Sequence, residues 1–358
     1  MSEQPRRPDP REQRLIERME AALRPRLHFS PQPPEGFDPL AATAKELDTY
    51  GLPPRPDPDI HRDAYSLWRR VLSPPLTILR AVFPTIETVD YRITGYGNKK
   101  QKKSAVMSHQ ETTRLQTSSN WSGASIAANG RGPFTMVFGL WRVPVPKRPT
   151  GQPDGDYRCS TWVGLDGLRR HSRSLPQLGT TQSVLVAGGA QTKKFEAWYQ
   201  WWIRGQHFAP VPFPDFSVDE GDLVACLLIM LTPVRARFVI KNLSQPGGPL
   251  SRVDLDVPPV QGVPPSQHAV RGGNAEWIAE RPMHIESDQL YPLADYASVT
   301  FDPCLALVPA AWRDLRGARL LRMVEVRESP HRAAIISSAR KVLPTQHVVE
   351  ASYRYEGA

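Results

Sequence analysis

Two polar residues set in apolar, strand-like surroundings are the clearest candidates for chemistry in this chain. Gln177 lies in Leu175-Pro176-Gln177-Leu178-Gly179, and Glu276 lies in Asn274-Ala275-Glu276-Trp277-Ile278. A glutamate can take a proton from water and hand it on. A glutamine can donate an amide N–H to an oxygen on which negative charge develops. The two stand 99 positions apart, so only a tertiary fold can unite them. Familiar catalytic signatures are missing: the sequence has no HExxH, no GxSxG and no phosphate-binding glycine loop. Gly95-Tyr96-Gly97 lacks the third glycine of a dinucleotide loop.

The elements that must carry these residues read as short strands. The 37 prolines among 358 residues exclude a fold of long helices. From Ser118 onward, apolar runs alternate with glycine and proline turns. Runs over 134–143, 160–165, 195–203, 223–231, 235–243 and 297–301 predict strands of an antiparallel sandwich or barrel. Residues 348–355 predict a final edge strand. Upstream, 8–24 and 64–72 show helical spacing of apolar residues, and 25–58 reads as an extended, proline-punctuated stretch. Residues 1–117 are therefore expected to form an N-terminal extension that wraps the main domain or is removable. Residues 118–302 form the main β domain, and 303–358 contribute flanking or completing strands.

The run Phe195 to Trp202 has two distinct faces, because successive side chains in a strand point to opposite sides. Phe195, Ala197, Tyr199 and Trp201 make one apolar face. Glu196, Trp198, Gln200 and Trp202 make an aromatic and polar one. The first suits a core and the second a cleft that binds an extended polymer. Asp166, followed by Gly167, is placed at a turn.

Charge says little about the ligand. The net charge is +9 and the isoelectric point about 9.6, yet residues 118–302 sum to only +1. The lysine run over 99–103 reads as a solvated loop, so no nucleic-acid role is expected. Cys159, Cys226 and Cys304 lack metal or redox spacing and are expected to be buried free thiols. No run is long and apolar enough for a membrane span, and no apolar leader follows Met1.

Several segments, taken in order, resemble the glutamic peptidases of the eqolisin family (family G1). They are Ser119-Asn120-Trp121-Ser122-Gly123-Ala124, Trp141-Arg142-Val143-Pro144, Thr161-Trp162-Val163-Gly164-Leu165-Asp166-Gly167, the Gln177 segment, Ala197-Trp198-Tyr199-Gln200-Trp201 and the Glu276 segment. The chain looks like a divergent, bacterial-type member. The resemblance implies a concanavalin-like β-sandwich of two large antiparallel sheets and an endopeptidase acting on protein or peptide substrates. It implies no metal or cofactor, and a monomer. By the same likeness Gln177 and Glu276 are a catalytic dyad sharing one concave face, and Trp162, Asp166, Trp198 and Gln200 lie near the substrate cleft. Activity is expected to be favoured at acid pH with a bell-shaped profile. The family's fungal members are acidic and secreted, whereas this chain is basic and its free thiols suit a reducing compartment, so the compartment is left open. Gln200 stands where those members usually carry glutamate. The N-terminal extension is a candidate propeptide with an accessible region at 99–103. The alternative reading is a non-catalytic β-sandwich module binding carbohydrate or peptide. The peptidase reading requires Gln177 and Glu276 to lie close together on one concave face, and it fails if they sit on opposite faces.

Overall fold

A computed structural model describes residues 10–80, 82–84, 90–97, 115–169, 172–285, 287, 289–309, 311–326 and 333–354. The lysine run at 99–103 lies outside them. Three helices come first: α1 (Pro10–Leu23), α2 (Ala44–Thr49) and α3 (Arg62–Leu72). The strands in chain order are β1 (Leu27–His28), β2 (Thr77–Ile78), β3 (Tyr91–Arg92), β4 (Leu115–Ser118), β5 (Trp121–Ala127), β6 (Met136–Arg142), β7 (Gly155–Leu165), β8 (Ser174–Ala187), β9 (Ala190–Ile203), β10 (Val211–Pro212), β11 (Leu223–Thr232), β12 (Arg235–Asn242), β13 (Pro249–Asp256), β14 (Asn274–Glu280), β15 (Met283–His284), β16 (Ser298–Phe301), β17 (Leu305–Val308), β18 (Ala311–Arg313), β19 (Arg319–Val326), β20 (Ala333–Lys341) and β21 (Val349–Tyr353).

Nineteen of these strands form two large, mainly antiparallel sheets, and β3 pairs with β15 in a separate two-stranded one. The larger has eleven strands and runs β10-β9-β8-β7-β14-β5-β19-β20-β21-β16, with β4 beside β19. The smaller has eight and runs β1-β13-β12-β11-β6-β17-β18, with β2 beside β13. Period-two alternation sends one face of each into a shared core. Val224, Cys226 and Leu228 of β11 join Val163 of β7, Tyr199 of β9 and Trp277 of β14 there. The expected all-β sandwich is thus the observed architecture, and every strand run read from the sequence is a strand. The three cysteines are free and buried.

The intervening residues of the small sheet face outward. Phe138, Ala225, Leu227 and Val239 pack there under Leu67, Trp68, Val71 and Leu72 of α3. The N-terminal residues are tied down by more than apolar contact. Buried Arg252 donates to the carbonyl oxygens of Tyr50, Leu79 and Pro31. Arg237 pairs with both Asp254 and Asp48. Residues 37–78 therefore line the outside of the small sheet, α1 and β1 close its edge with Met19, Leu23 and Leu27 in the core, and 90–97 cross the outside of the large sheet.

Two local expectations are corrected. The stretch 25–58 is not wholly extended, because α2 interrupts it. Thr43 and Glu46 form a reciprocal capping box that starts that helix. The last strand, β21, is not at an edge; it lies between β20 and β16, and β16 takes the edge position. Strands after residue 302 enter both sheets.

Candidate active site

The site is built on three adjacent central strands of the large sheet. Gly164 of β7 is directly opposite Gln177 of β8 on one side and Glu276 of β14 on the other. Directly opposed residues point to the same face. The row extends to Gln200 of β9, opposite Gln177, and to Ser125 of β5, opposite Glu276. With strands about 4.8 Å apart, the Cα atoms of Gln177 and Glu276 stand about 10 Å apart. Both side chains rise from the outer face, away from the sandwich core. Gly164 between them carries no side chain, and a Cβ there would meet Leu175 Cδ1 at 2.9 Å and Trp162 Cζ3 at 3.0 Å. The glycine thus keeps the space between the two polar groups free of a methyl.

The next row toward β14's C-terminal end holds Trp198, Gly179, Trp162 and Ile278. Trp162, Trp198, Leu175, Trp202 and Ile278 form an apolar cluster on this face, distinct from the core. The two-faced reading of β9 is therefore correct: Ala197, Tyr199 and Trp201 are in the core, and Trp198 and Trp202 are on the outer face.

Gln177 and Glu276 are both fully buried, at 0% exposure. Neither oxygen of Glu276, nor the amide oxygen of Gln177, accepts a hydrogen bond from any described residue. Such groups cost free energy when left unpaired, and here three of them share one row. Burial, and after it the charge of Asp166, pushes Glu276 well above the usual carboxylate range.

The orientation of the Gln177 amide is set by a relay. Phe208 O can only accept, so Gln200 must turn its NH₂ toward it, at 2.6 Å. That leaves Gln200 Oε1 to accept from Gln177 Nε2 at 2.9 Å. The Gln177 oxygen is thereby turned away from Gln200.

Asp166 plays a different part from the other residues. It adopts φ 69° and Gly167 φ 91°, the left-handed turn suited to Asp-Gly. Its carboxylate accepts backbone N–H bonds from Arg271 at 2.7 Å, Gly272 at 3.1 Å and Gly273 at 2.7 Å. It thus fixes the turn that leads directly into β14 and Glu276. Gln177, Glu276, Gln200, Trp162 and Trp198 meet on the outer face; Asp166 anchors its end.

Sequence reasoning missed Glu280, which shares Glu276's face four residues on. It is fully buried and holds the indole N–H groups of Trp121 and Trp162 at 3.0 and 2.9 Å. Burial pushes it up to about 8 despite these donors. The alternation Glu276, Ile278, Glu280 was the signal that could have found it.

These two carboxyls give stability a defined pH dependence. Both bind a proton more readily folded than unfolded, so their contribution is fully present below the ordinary value of 4.5 and is lost as pH rises through about 8 at Glu280. The thermal midpoint is expected to fall between about pH 5 and about pH 8, and Glu280→Gln to flatten that fall. A midpoint that rises over this window would contradict the burial described.

Three solved structures are similar to this chain. A transition-state-analogue complex of scytalido-glutamic peptidase is 20% identical, with a TM-score of 0.50, and covers 66% of this chain and 98% of that one. SCP-B, described as an eqolisin-family peptidase with the tripeptide Ala-Ile-His, is 18% identical over 66% of this chain and 98% of its own, with a TM-score of 0.49. The aspergilloglutamic peptidase from Aspergillus niger is 22% identical over 55% of this chain and 99% of its own, with a TM-score of 0.43. No curated protein sequence matches the chain. The family model described as the Peptidase A4 family matches residues 119–343, well over half of the chain and beyond the 302 boundary read from the sequence. The chain accordingly belongs to the Peptidase A4 family, the glutamic peptidases, and is an endopeptidase.

Proposed function

We propose that the chain cleaves peptide bonds by direct attack of water, with Glu276 and Gln177 as the reacting pair. Glu276 takes a proton from the attacking water and later returns it to the leaving amine. Gln177 donates an amide N–H to the oxyanion of the tetrahedral intermediate, and its oxygen helps hold the water. Gln200 is the positioning residue that fixes which way the Gln177 amide faces. Trp162 and Trp198 flank an extended protein or peptide substrate along the adjacent row.

The observation that carries this reading is the shared row: Gln177 and Glu276 flank Gly164 on one face, with buried oxygens that no described residue satisfies. The same placement meets the demand that the peptidase reading makes, that the two residues share one face. Glu276 takes a proton only when ionised, and burial opposes that, so catalysis favoured at acid pH requires water or substrate in the row to give its carboxylate the hydrogen bonds that the described residues do not.

A single turnover in ¹⁸O-labelled water tests the route. Direct attack predicts that label enters the new carboxyl of the product and never the carboxyl of Glu276, as read by mass spectrometry of both. Label in the Glu276 peptide would overturn the proposal, because it would require an acyl-enzyme formed on that side chain.

A further inference from the structure

The two flanks of the dyad row differ in chemistry. On one side Trp198, Trp162 and Ile278 make an apolar wall. On the other stand Trp202, Leu175, Asp166 and Asn274, and beyond them a rim of exposed arginines. Arg169 lies in the turn after β7, Arg173 immediately precedes β8, Arg204 follows β9, and Arg271 leads into β14. Arg169 and Arg271 are 102 positions apart, so the fold, not the local sequence, gathers this charge.

The rim is held in place. Arg204 donates to Ser172 O at 3.1 Å and to Arg169 O at 3.4 Å, and its backbone N–H donates to Arg173 O at 2.8 Å. Its guanidinium carbon lies 5.2 Å from the centre of the Trp202 ring. Buried Ser172 braces the turn from within, accepting from Gly167 N at 3.0 Å and donating to Ser174 O at 3.1 Å. Arg271 joins through its backbone N–H, which donates to Asp166 at 2.7 Å.

Among the described residues no carboxylate pairs with any of the four side chains. Asp166, the acid of this flank, is engaged by three backbone N–H groups. Partial desolvation lowers Arg204 from its ordinary value, with no acid to offset it. The flank therefore keeps a surplus of positive charge beside the cleft.

Asn274 is an independent sign that something binds here. It shares the face of Glu276, two residues before it on β14, and is 2% exposed. Neither its amide nitrogen nor its amide oxygen has a partner among the described residues. A buried amide left in that state costs free energy, which an incoming polar group would recover.

On the reading of Gln177 and Glu276 as the cleaving pair, we propose that Arg169, Arg173, Arg204 and Arg271, with Asn274, form a subsite for a carboxylate of the substrate. An aspartate or glutamate side chain, or the C-terminus of the peptide, supplies that group. Guanidinium groups and the Asn274 NH₂ are donors, and a carboxylate accepts from both. Gln177 to Arg173 and Gln200 to Arg204 are each four residues, about 13 Å along a strand. An arginine and a glutamate side chain reaching toward each other bridge that span. The acidic residue thus lies within about two positions of the cleaved bond. Its neighbours in the extended substrate point the opposite way, toward the tryptophan wall, and are apolar.

The test scans glutamate against glutamine on both sides of the cleaved bond of a short amidated peptide, reading kcat/KM of the full chain at about pH 5.5 and low ionic strength. At one position glutamate should exceed glutamine about tenfold. The ratio should fall toward one below about pH 4, where the substrate carboxylate takes a proton. Arg173→Glu with Arg271→Glu should abolish the ratio and favour lysine at the same position. Neither side chain makes a hydrogen bond to a described residue, so the thermal midpoint should hold. Asn274→Asp, an isosteric change, should lower the ratio as well. A glutamine peptide whose free C-terminus falls at that position separates a chain end from a side chain. Equal kcat/KM for glutamate and glutamine at every position, and for free and amidated ends, would overturn the proposal. A preference that survives the double variant would also overturn it. Calorimetry on Glu276→Gln separates this subsite from the dyad. If the glutamate peptide binds more tightly than the glutamine peptide but no form of the protein cleaves either, the subsite stands and the dyad reading falls.

Discussion

Trp277→Ala is expected to be the most destabilising single substitution near the site, costing about 3–5 kcal/mol. Trp277 follows Glu276 on β14 and points the opposite way, into the core between the sheets. It is fully buried, and its indole N–H donates to Phe138 O at 2.7 Å. Phe138 belongs to β6 of the small sheet, so this one side chain joins the two layers by packing and by a hydrogen bond. Removing it deletes a large apolar volume that the surrounding strands cannot refill, and it frees a strand that carries both Glu276 and Glu280. Denaturant unfolding should show a lowered midpoint at an unchanged slope. Trp277→Phe restores most of the volume but not the N–H, so the difference between the two variants isolates packing from the bond. A cost below about 1 kcal/mol for Trp277→Ala would mean that the sheets are held together elsewhere.

Much of this arrangement is legible in the sequence because it rests on local patterns. The alternation of residue types in 195–202 is enough to separate a core face from a cleft face. The segments around Gln177 and Glu276 stand out by order and by their polar residue in an apolar run. What local pattern cannot supply is register. Gly164 opposes both polar residues only because β8 and β14 pair with β7 at particular offsets, set by contacts far apart in sequence. Pro176 inside β8 reads as punctuation, which hides a strand of 14 residues. The Asp-Gly pattern reveals that Asp166 sits at a turn but not what it binds, since the 271–273 N–H groups arrive from more than 100 positions downstream. Residues 90–97 carry no signal at all. Their place across the large sheet comes from the fold, not from their composition. The capping box of α2 is legible in Thr43 and Glu46, but the surrounding prolines outweigh it.

Glu276→Gln should remove almost all activity while leaving the fold intact. The replacement is isosteric, so row, neighbours and packing are kept. It removes only the ability to accept and return a proton, an effect of about 10²–10⁴ in rate. Because Glu276 is fully buried without a partner among the described residues, the neutral amide should be tolerated at least as well as the carboxylate, and the thermal midpoint at neutral pH should not fall. Gln177→Ala should lose about 10²–10³ through the missing oxyanion donor. The decisive measurement is kcat/KM of Glu276→Gln on an unstructured protein substrate at acid pH, alongside its thermal midpoint. The dyad predicts a loss of at least about a hundredfold at an unchanged midpoint; activity within about threefold of the unsubstituted protein would contradict it.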